Sequence, residues 1–380
     1  MPIPHRQLPV SRRQFLAAGA SASVGVALAL GLTPTPARAG GRHPFGPYGS
    51  PTSRLTERTL YVDRHGAGDH TTIQAAVTAA SGAGHTLVIA AGVYRETTTV
   101  SAARTDMTWI GATGQPKDVV IVYDNAAGTT KPDGSGTYGT TGSATTTVQA
   151  AGFTAHALTF ANDWLRADHP GISGTQAVAI KVQGDRSAFL RCRFLGHQDT
   201  LYADSTALTA FARQYFRDCY VEGDVDFVFG RATAVFEHCH FRTLDRTDLA
   251  SAPYGFVFAP STAGANPRGY LVSRSRVTST APDASYKLAR PWVPSSDTTA
   301  RPALIVRDTR LGAGIDAAAP YANMSDSFPW QNQRFAEHHN TGPGAAITDP
   351  ADRPQLTRAE AESATRAAYL GDWTPGGVTP

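Results

Sequence analysis

The sequence predicts an all-β chain wound as a parallel β-helix, and a degenerate repeat, its irregular spacing and the composition carry that prediction. The repeat is clearest in Phe189-Leu-Arg-Cys192-Arg-Phe194 and Phe216-Arg-Asp-Cys219-Tyr-Val221. Ala155-His-Ala-Leu158-Thr-Phe160 precedes these copies, and Phe236-Glu-His-Cys239-His-Phe241 follows. Val272-Ser-Arg-Ser275-Arg-Val277 and Val306-Arg-Asp-Thr309-Arg-Leu311 continue the pattern with a small polar residue in the cysteine slot. Each copy alternates apolar and polar positions as a strand does. The slots are 34, 27, 20, 36 and 34 residues apart. A coil of about 20 residues with loops of varying length inserted on one face fits those intervals. Composition agrees, because 36 Gly and 25 Pro supply many turns while only 17% of residues are charged. A β-sandwich is the competing architecture, but sandwiches seldom hold a small-residue slot in register over so many strands.

Taken in order, the chain opens with Ser11-Arg12-Arg13-Gln14-Phe15-Leu16, a twin-arginine export motif. An Ala/Gly/Val/Leu run to Leu32, then Pro34, Pro36 and the cleavage-like Ala37-Arg-Ala39 complete a signal peptide over residues 1–39. That segment holds four Arg and no acidic residue, so its removal changes the formal charge from +3 to −1. The basic balance of the full chain is therefore no argument for nucleic-acid binding, and removal of the signal leaves no membrane segment. Residues 40–58 read as a flexible lead-in, 59–373 as one β-helix domain and 374–380 as a tail. Ile73-Gln-Ala-Ala-Val77 spaces apolar residues on one helical face and predicts a short N-terminal capping helix. Thr357-Arg-Ala-Glu360 is a capping box that opens a C-terminal helix to about Leu370, expected to cover the other end. A solenoid capped in this way needs no partner and is expected to be a monomer. The three cysteines share the repeat slot and are expected as an inward ladder of free thiols.

Two aspartates carry the chemical signal. Asp199 lies 7 residues after Cys192, and Asp226 lies 7 residues after Cys219. On successive coils the two carboxylates would sit on neighbouring strands, roughly 5 Å apart. At that distance they cannot both ionise easily, so one holds a proton and the other stays charged. Turn capping and cation binding are the bland readings of such a pair. The strand-like flanks Thr200-Leu-Tyr202 and Phe227-Val-Phe229 oppose the first, and Asp224 is the only extra carboxylate for the second, sharing a strand face with Asp226.

Gln198 adjoins Asp199, and Gln176 opens Gln176-Ala-Val-Ala-Ile180 one coil earlier, so amide donors for an oxyanion stand beside the pair. Leu288-Ala-Arg290-Pro-Trp292 adds a cation able to hold a carboxylate and a flat ring able to stack on a sugar. The histidines lack zinc spacing, no serine sits in a nucleophile elbow, and no phosphate-binding glycine loop is present. The reading calls for neither metal nor cofactor. Carboxylates this close also suit a retaining glycosidase, and a non-catalytic polysaccharide-binding solenoid is the non-enzyme alternative.

The chain resembles bacterial pectin methylesterases, which are carbohydrate esterases built as right-handed parallel β-helices. The matching segments are Gly92-Val-Tyr94-Arg-Glu96, Gln176-Ala-Val-Ala-Ile180, Gly184-Asp-Arg186, Gly196-His-Gln198-Asp199-Thr-Leu-Tyr202, Asp226-Phe-Val-Phe229-Gly230 and Leu288-Ala-Arg290-Pro-Trp292. The resemblance implies that Asp226 is the nucleophile and Asp199 the acid/base. It makes Gln176 and Gln198 oxyanion donors and gives Arg290 the task of orienting Asp226. It also implies a sugar cleft lined by Tyr202, Val225, Phe229, Trp292 and Met324. Methylated pectin (homogalacturonan) would be the substrate of an exported enzyme. His197 and Ala289 depart from the family, which often has Tyr and Gly there, and His197 bears on the pH profile. A thioesterase relative acting on acyl-CoA is disfavoured by the intact glutamines, Arg290 and the export signal.

Overall fold

The computed structural model describes residues 58–375. The export motif, the cleavage triplet and nearly all of the 40–58 lead-in lie outside the described residues, as do residues 376–380 of the tail. The rest is a parallel β-helix of three sheets, with ten strands in sheet A, eight in sheet B and seven in sheet C. Sheet A runs from Thr59–Val62 to Arg334–His338, sheet B from Gly92–Arg95 to Arg310–Leu311, and sheet C from Thr98–Val100 to Tyr286–Ala289. Each complete coil visits A, then B, then C.

The repeat marks the step from sheet A to sheet B. Phe189, Phe216, Phe236, Val272 and Val306 align on sheet A, as do Phe160, Phe194, Val221, Phe241, Val277 and Leu311 on sheet B. Their rings stack along the axis, with Phe189 and Phe216 centroids 5.1 Å apart and Phe216 and Phe236 4.7 Å apart. The residue before each slot has positive φ: Ala157, Arg191, Asp218, His238, Arg274 and Asp308. One left-handed residue turns the chain sharply enough to aim the next side chain inward. Left-handed geometry disfavours any residue with a Cβ, so regular coil packing must sustain it at each corner. Cys192, Cys219 and Cys239 are free and buried, as expected. Each thiol donates to a carbonyl of the preceding coil, at Ala155, Phe189 and Phe216 respectively. Burial pushes the Cys192 thiol up to about 12, which leaves it inert as a nucleophile.

The N-terminal helix forms at α1 (Ile73–Ala79), capped by the Thr72 hydroxyl, and buries Ile73, Ala76 and Val77 in the main core. The C-terminal expectation needs two corrections. The capping box of Thr357 and Glu360 is present, but the stretch divides into α2 (Arg358–Ser363) and α3 (Arg366–Leu370). Thr365 caps α3, while Arg307 donates to the carbonyls of Ala361 and Ala364 and so ends α2. Nor do these helices cover the end of the stack. Tyr215, Val235, Leu271 and Ile305 form an apolar row on the outer face of sheet A, and Ala364, Tyr369 and Leu370 pack against it.

Candidate active site

Sheet C and the turns that enter it build the site. Leu201 pairs with Val228 and Tyr202 with Phe229, so Asp199 and Asp226 occupy the same place on successive coils. The Asp199 N–H donates to the Val225 carbonyl at 3.0 Å, joining the two turns directly. Neither aspartate is on a strand, contrary to the sequence expectation. Both have positive φ, 64° for Asp199 and 49° for Asp226, and stand in turns just before Leu201–Ala203 and Val228–Gly230. The chain must bend from sheet B to sheet C there, and Asp tolerates the left-handed region better than most residues with a Cβ. Asp224 likewise shares no strand face with Asp226.

The two carboxyls are both nearly buried yet differ in charge environment. Burial pushes Asp199 well above the usual carboxylate range, and the negative charge of Asp226 pushes it further. Burial also raises Asp226, but Arg290 opposes the rise. Arg290 Nε and Nη2 donate to Asp226 Oδ1 and Oδ2 at 2.8 and 2.6 Å, a bidentate fork. Its guanidinium carbon lies 4.0 Å from the Phe256 ring centroid, which fixes the plane of the fork. The pair therefore favours a proton on Asp199 and a charge on Asp226.

The two glutamines also converge. The Ala177 N–H donates to the Gln198 carbonyl at 3.1 Å, so Gln176 stands one coil before Gln198. Thr175 Oγ1 donates to Gln198 Oε1 at 2.6 Å. With its oxygen engaged, the Gln198 amide has its NH2 left to donate. Gln176 is half-buried, and its backbone carbonyl accepts from Ala127.

Behind the pair lies a cluster around the buried Asp224 that sequence reasoning did not assemble. Arg166 Nη1 and Nη2 hold Asp224 Oδ2 and Oδ1 at 2.7 and 2.8 Å, and His197 Nδ1 lies 3.0 Å from Oδ2. Asp224 Oδ1 also accepts the Val225 N–H, while the Asp224 N–H donates to the His197 carbonyl. The cluster thus joins the residue before Gln198-Asp199 to the residue before Val225-Asp226. Burial would raise Asp224, but hydrogen bonds from Arg166 and His197 overcome it and hold the carboxyl well below its usual range. Asp224 had a sequence signal, being two residues from Asp226. Arg166 and Thr175 had none, because they belong to a long insertion without periodicity.

Tyr202 and Phe229 stack with centroids 4.1 Å apart, and the Trp292 ring lies 6.2 and 5.8 Å from them. These rings form an outer apolar group separate from the interior core. Val225 is half-buried in the turn between the two aspartates. Met324 is 37% exposed, three residues beyond Tyr321, whose backbone bridges to Ala289.

This geometry has known counterparts. A family model described as Pectinesterase matches residues 59–372. Pectinesterase A of Dickeya chrysanthemi is 36% identical over 316 residues, covering 76% of this chain and 83% of the relative. A solved pectin methylesterase from Erwinia chrysanthemi superposes with a TM-score of 0.74 at 32% identity, covering 85% of this chain and 99% of that one. A pectin methylesterase solved in complex with a hexasaccharide gives the same TM-score and identity, covering 83% and 98%. With its match running from the first strand to the C-terminal helices, this chain belongs to the pectinesterase family of carboxylic ester hydrolases.

Proposed function

We propose that the protein is an exported pectin methylesterase that hydrolyses C6 methyl esters of homogalacturonan through an aspartyl acyl-enzyme. The observation that carries the mechanism is the unequal pair, with an Arg290 fork on Asp226 and a buried Asp199 that retains its proton. An Asp226 oxygen attacks the ester carbonyl carbon, whose oxygen becomes an oxyanion held by the Gln176 and Gln198 amides. Collapse breaks the bond to the methoxyl oxygen, Asp199 gives its proton to that oxygen, and methanol leaves. The remaining mixed anhydride is attacked by water, which Asp199 deprotonates. Breaking the bond to Asp226 returns that residue to its ionised form, and the galacturonic acid departs, losing its remaining proton to solvent. The Tyr202, Phe229 and Trp292 rings offer flat faces to the sugar units, and no step calls for a metal or cofactor.

Methanol release and polymer length, followed together on methylated pectin, test this reading. Methanol should appear while chain length stays constant, and shortened chains without methanol would favour the glycosidase alternative. Asp226→Ala should abolish release with the fold intact, and near-normal activity in that variant would refute the assignment. The Ser11–Leu16 motif supports export by the twin-arginine route with cleavage after Ala39. Replacing Arg12 and Arg13 by Lys should retain the protein in cells, and undiminished export would refute the route. A single elution volume corresponding to one chain would support the monomer.

A further inference from the structure

The outer face of sheet B, away from the rings and aspartates of sheet C, carries a charged row that the reaction does not use. Arg193, Tyr220, His240, Arg276 and Arg310 align on five successive strands. Their neighbours Phe194, Val221, Phe241, Val277 and Leu311 point into the interior core, so this row points outward. Arg276 and Arg310 are exposed, and the other three are half-buried. Contacts within the row hold it in place. The Arg193 guanidinium carbon lies 5.4 Å from the Tyr220 ring centroid, and the Tyr220 and His240 rings meet edge to face at 5.1 Å. Arg276 Nη2 donates to His240 Nδ1 at 3.1 Å, which leaves His240 Nε2 to donate to Thr278 Oγ1 at 2.7 Å.

This face is net positive. From Arg193 onward its outward positions hold Arg193, Arg242, Arg276 and Arg310 against one acid, Glu222, which accepts the Tyr220 hydroxyl at 2.6 Å. The carboxylates at the corner with sheet A have arginines of their own, Asp218 with Arg217 at 3.3 Å and Asp308 with Arg307 at 2.8 Å. Burial, then the charges of Arg276 and Arg242, push the His240 imidazole down to about 4 against the pull of Glu222. Positive charge is thus gathered on one face of a chain whose formal charge without residues 1–39 is −1. At the Arg193 end of the row lies a cavity of about 440 Å³ lined by Pro116, Arg191, Arg193, Asp218 and Tyr220.

We infer that this face of sheet B is a second polysaccharide-binding surface, outside the cleft, that holds de-esterified stretches of the galacturonan chain. The inference rests on the pectin reading given above, which supplies a polymer with one carboxylate per de-esterified sugar. Neighbouring strands lie about 4.8 Å apart, close to the length of one sugar unit, so a chain lying along the coil axis keeps step with the row. Arg276 and Arg310 then meet the carboxylates of adjacent units, and Arg193 meets one roughly 14 Å away. Guanidiniums already ordered by Tyr220 and His240 lose little freedom on binding. Methylated stretches carry no charge for the row to hold, so the surface keeps the enzyme on polymer that it has already worked.

The test is retardation of the chain from residue 40 onward in native gels containing polygalacturonate, for wild type and the double variant Arg276→Gln/Arg310→Gln, each referred to a gel without polymer. The double variant should bind about fivefold more weakly, the loss expected from two exposed ion pairs. Wild-type retardation should fall as salt rises. Its kcat/KM for methanol release from methylated trigalacturonate should stay unchanged in the double variant, because that substrate needs only the cleft. Equal retardation of wild type and a folded double variant would overturn the inference, as would wild-type retardation indifferent to salt. Equal retardation by polyglutamate would replace the sugar assignment with a general polyanion surface and so overturn it too. Absence of methanol release by wild type would sink the esterase reading, a separate result from any of these.

Discussion

Replacing Arg290 by Gln removes the fork that separates the two aspartates, and its consequences can be worked out from the structure. The guanidinium makes two hydrogen bonds to an Asp226 carboxyl whose side chain is only 9% exposed. Breaking one side of a buried ion pair costs about 3–5 kcal/mol, because the other charge is left uncompensated. Asp226 can escape much of that cost by taking up a proton. At about 1.36 kcal/mol per pKa unit, the upper bound is a rise of roughly 2–4 units. In the proposed mechanism Asp226 attacks only when ionised, so the acid limb of kcat/KM should move to higher pH by that amount. Below the new limb the rate should fall about tenfold per unit. Methanol release measured from acid to mildly alkaline pH reads the limb directly.

Stability supplies a second readout with a definite sign. A carboxyl whose folded pKa is raised contributes stability that is full below its unfolded pKa and is lost as pH rises through the folded value. Wild-type Asp226 is already raised by burial, and losing Arg290 raises it further. The Tm difference between wild type and Arg290→Gln should therefore be small in acid and grow toward neutral pH. Arg290→Lys, which keeps the charge but not the fork, should fall between the two. An acid limb that stays in place, together with a Tm difference independent of pH, would refute the claim that Arg290 sets the charge of Asp226.

Further consequences follow from the same contacts. The Asp224 charge raises both Asp199 and Asp226, while Arg166 lowers Asp199. Asp224→Asn should therefore shift the acid limb (Asp226) and the alkaline limb (Asp199) both to lower pH, and an upward shift of either would contradict the electrostatic role. Gln198→Ala should reduce kcat by about 10²–10³ with a smaller change in KM. Thr175→Val, which frees the amide to rotate, should reduce kcat less than Gln198→Ala does, and an equal or greater loss would show Thr175 doing more than orienting it. Phe216, stacked between Phe189 and Phe236 with no exposure, should cost about 3–5 kcal/mol on replacement by Ala, read by denaturant unfolding.

Much of this protein was legible in one dimension because a parallel β-helix is close to a one-dimensional object. Each coil contacts its neighbours, so a fixed offset along the chain becomes a fixed place on the stack. The Cys192/Cys219/Cys239 slot, the phenylalanine ladder and the matched offsets of Asp199 and Asp226 all survive that translation unchanged. The α1 helix was equally local, set by the spacing of Ile73, Ala76 and Val77 and by one cap.

Contacts made across the insertions, and the backbone at the corners, needed the tertiary structure. The left-handed turns at Asp199 and Asp226 resemble strand in the sequence because their flanks alternate like strands, and nothing local marks where a coil bends. Arg166 reaches Asp224 across 58 residues and Thr175 reaches Gln198 across 23, from a stretch with no periodic pattern. The C-terminal helices settle on the side of the stack because Tyr215, Val235, Leu271 and Ile305 form an outer apolar row, which appears only once the strands are in register. Sequence by itself determined the coil and the pairing of two carboxyls along it, since both depend on neighbours at fixed intervals. Only the tertiary structure decided which carboxyl keeps the proton, since that depends on burial and on an Arg290 brought in from two coils away.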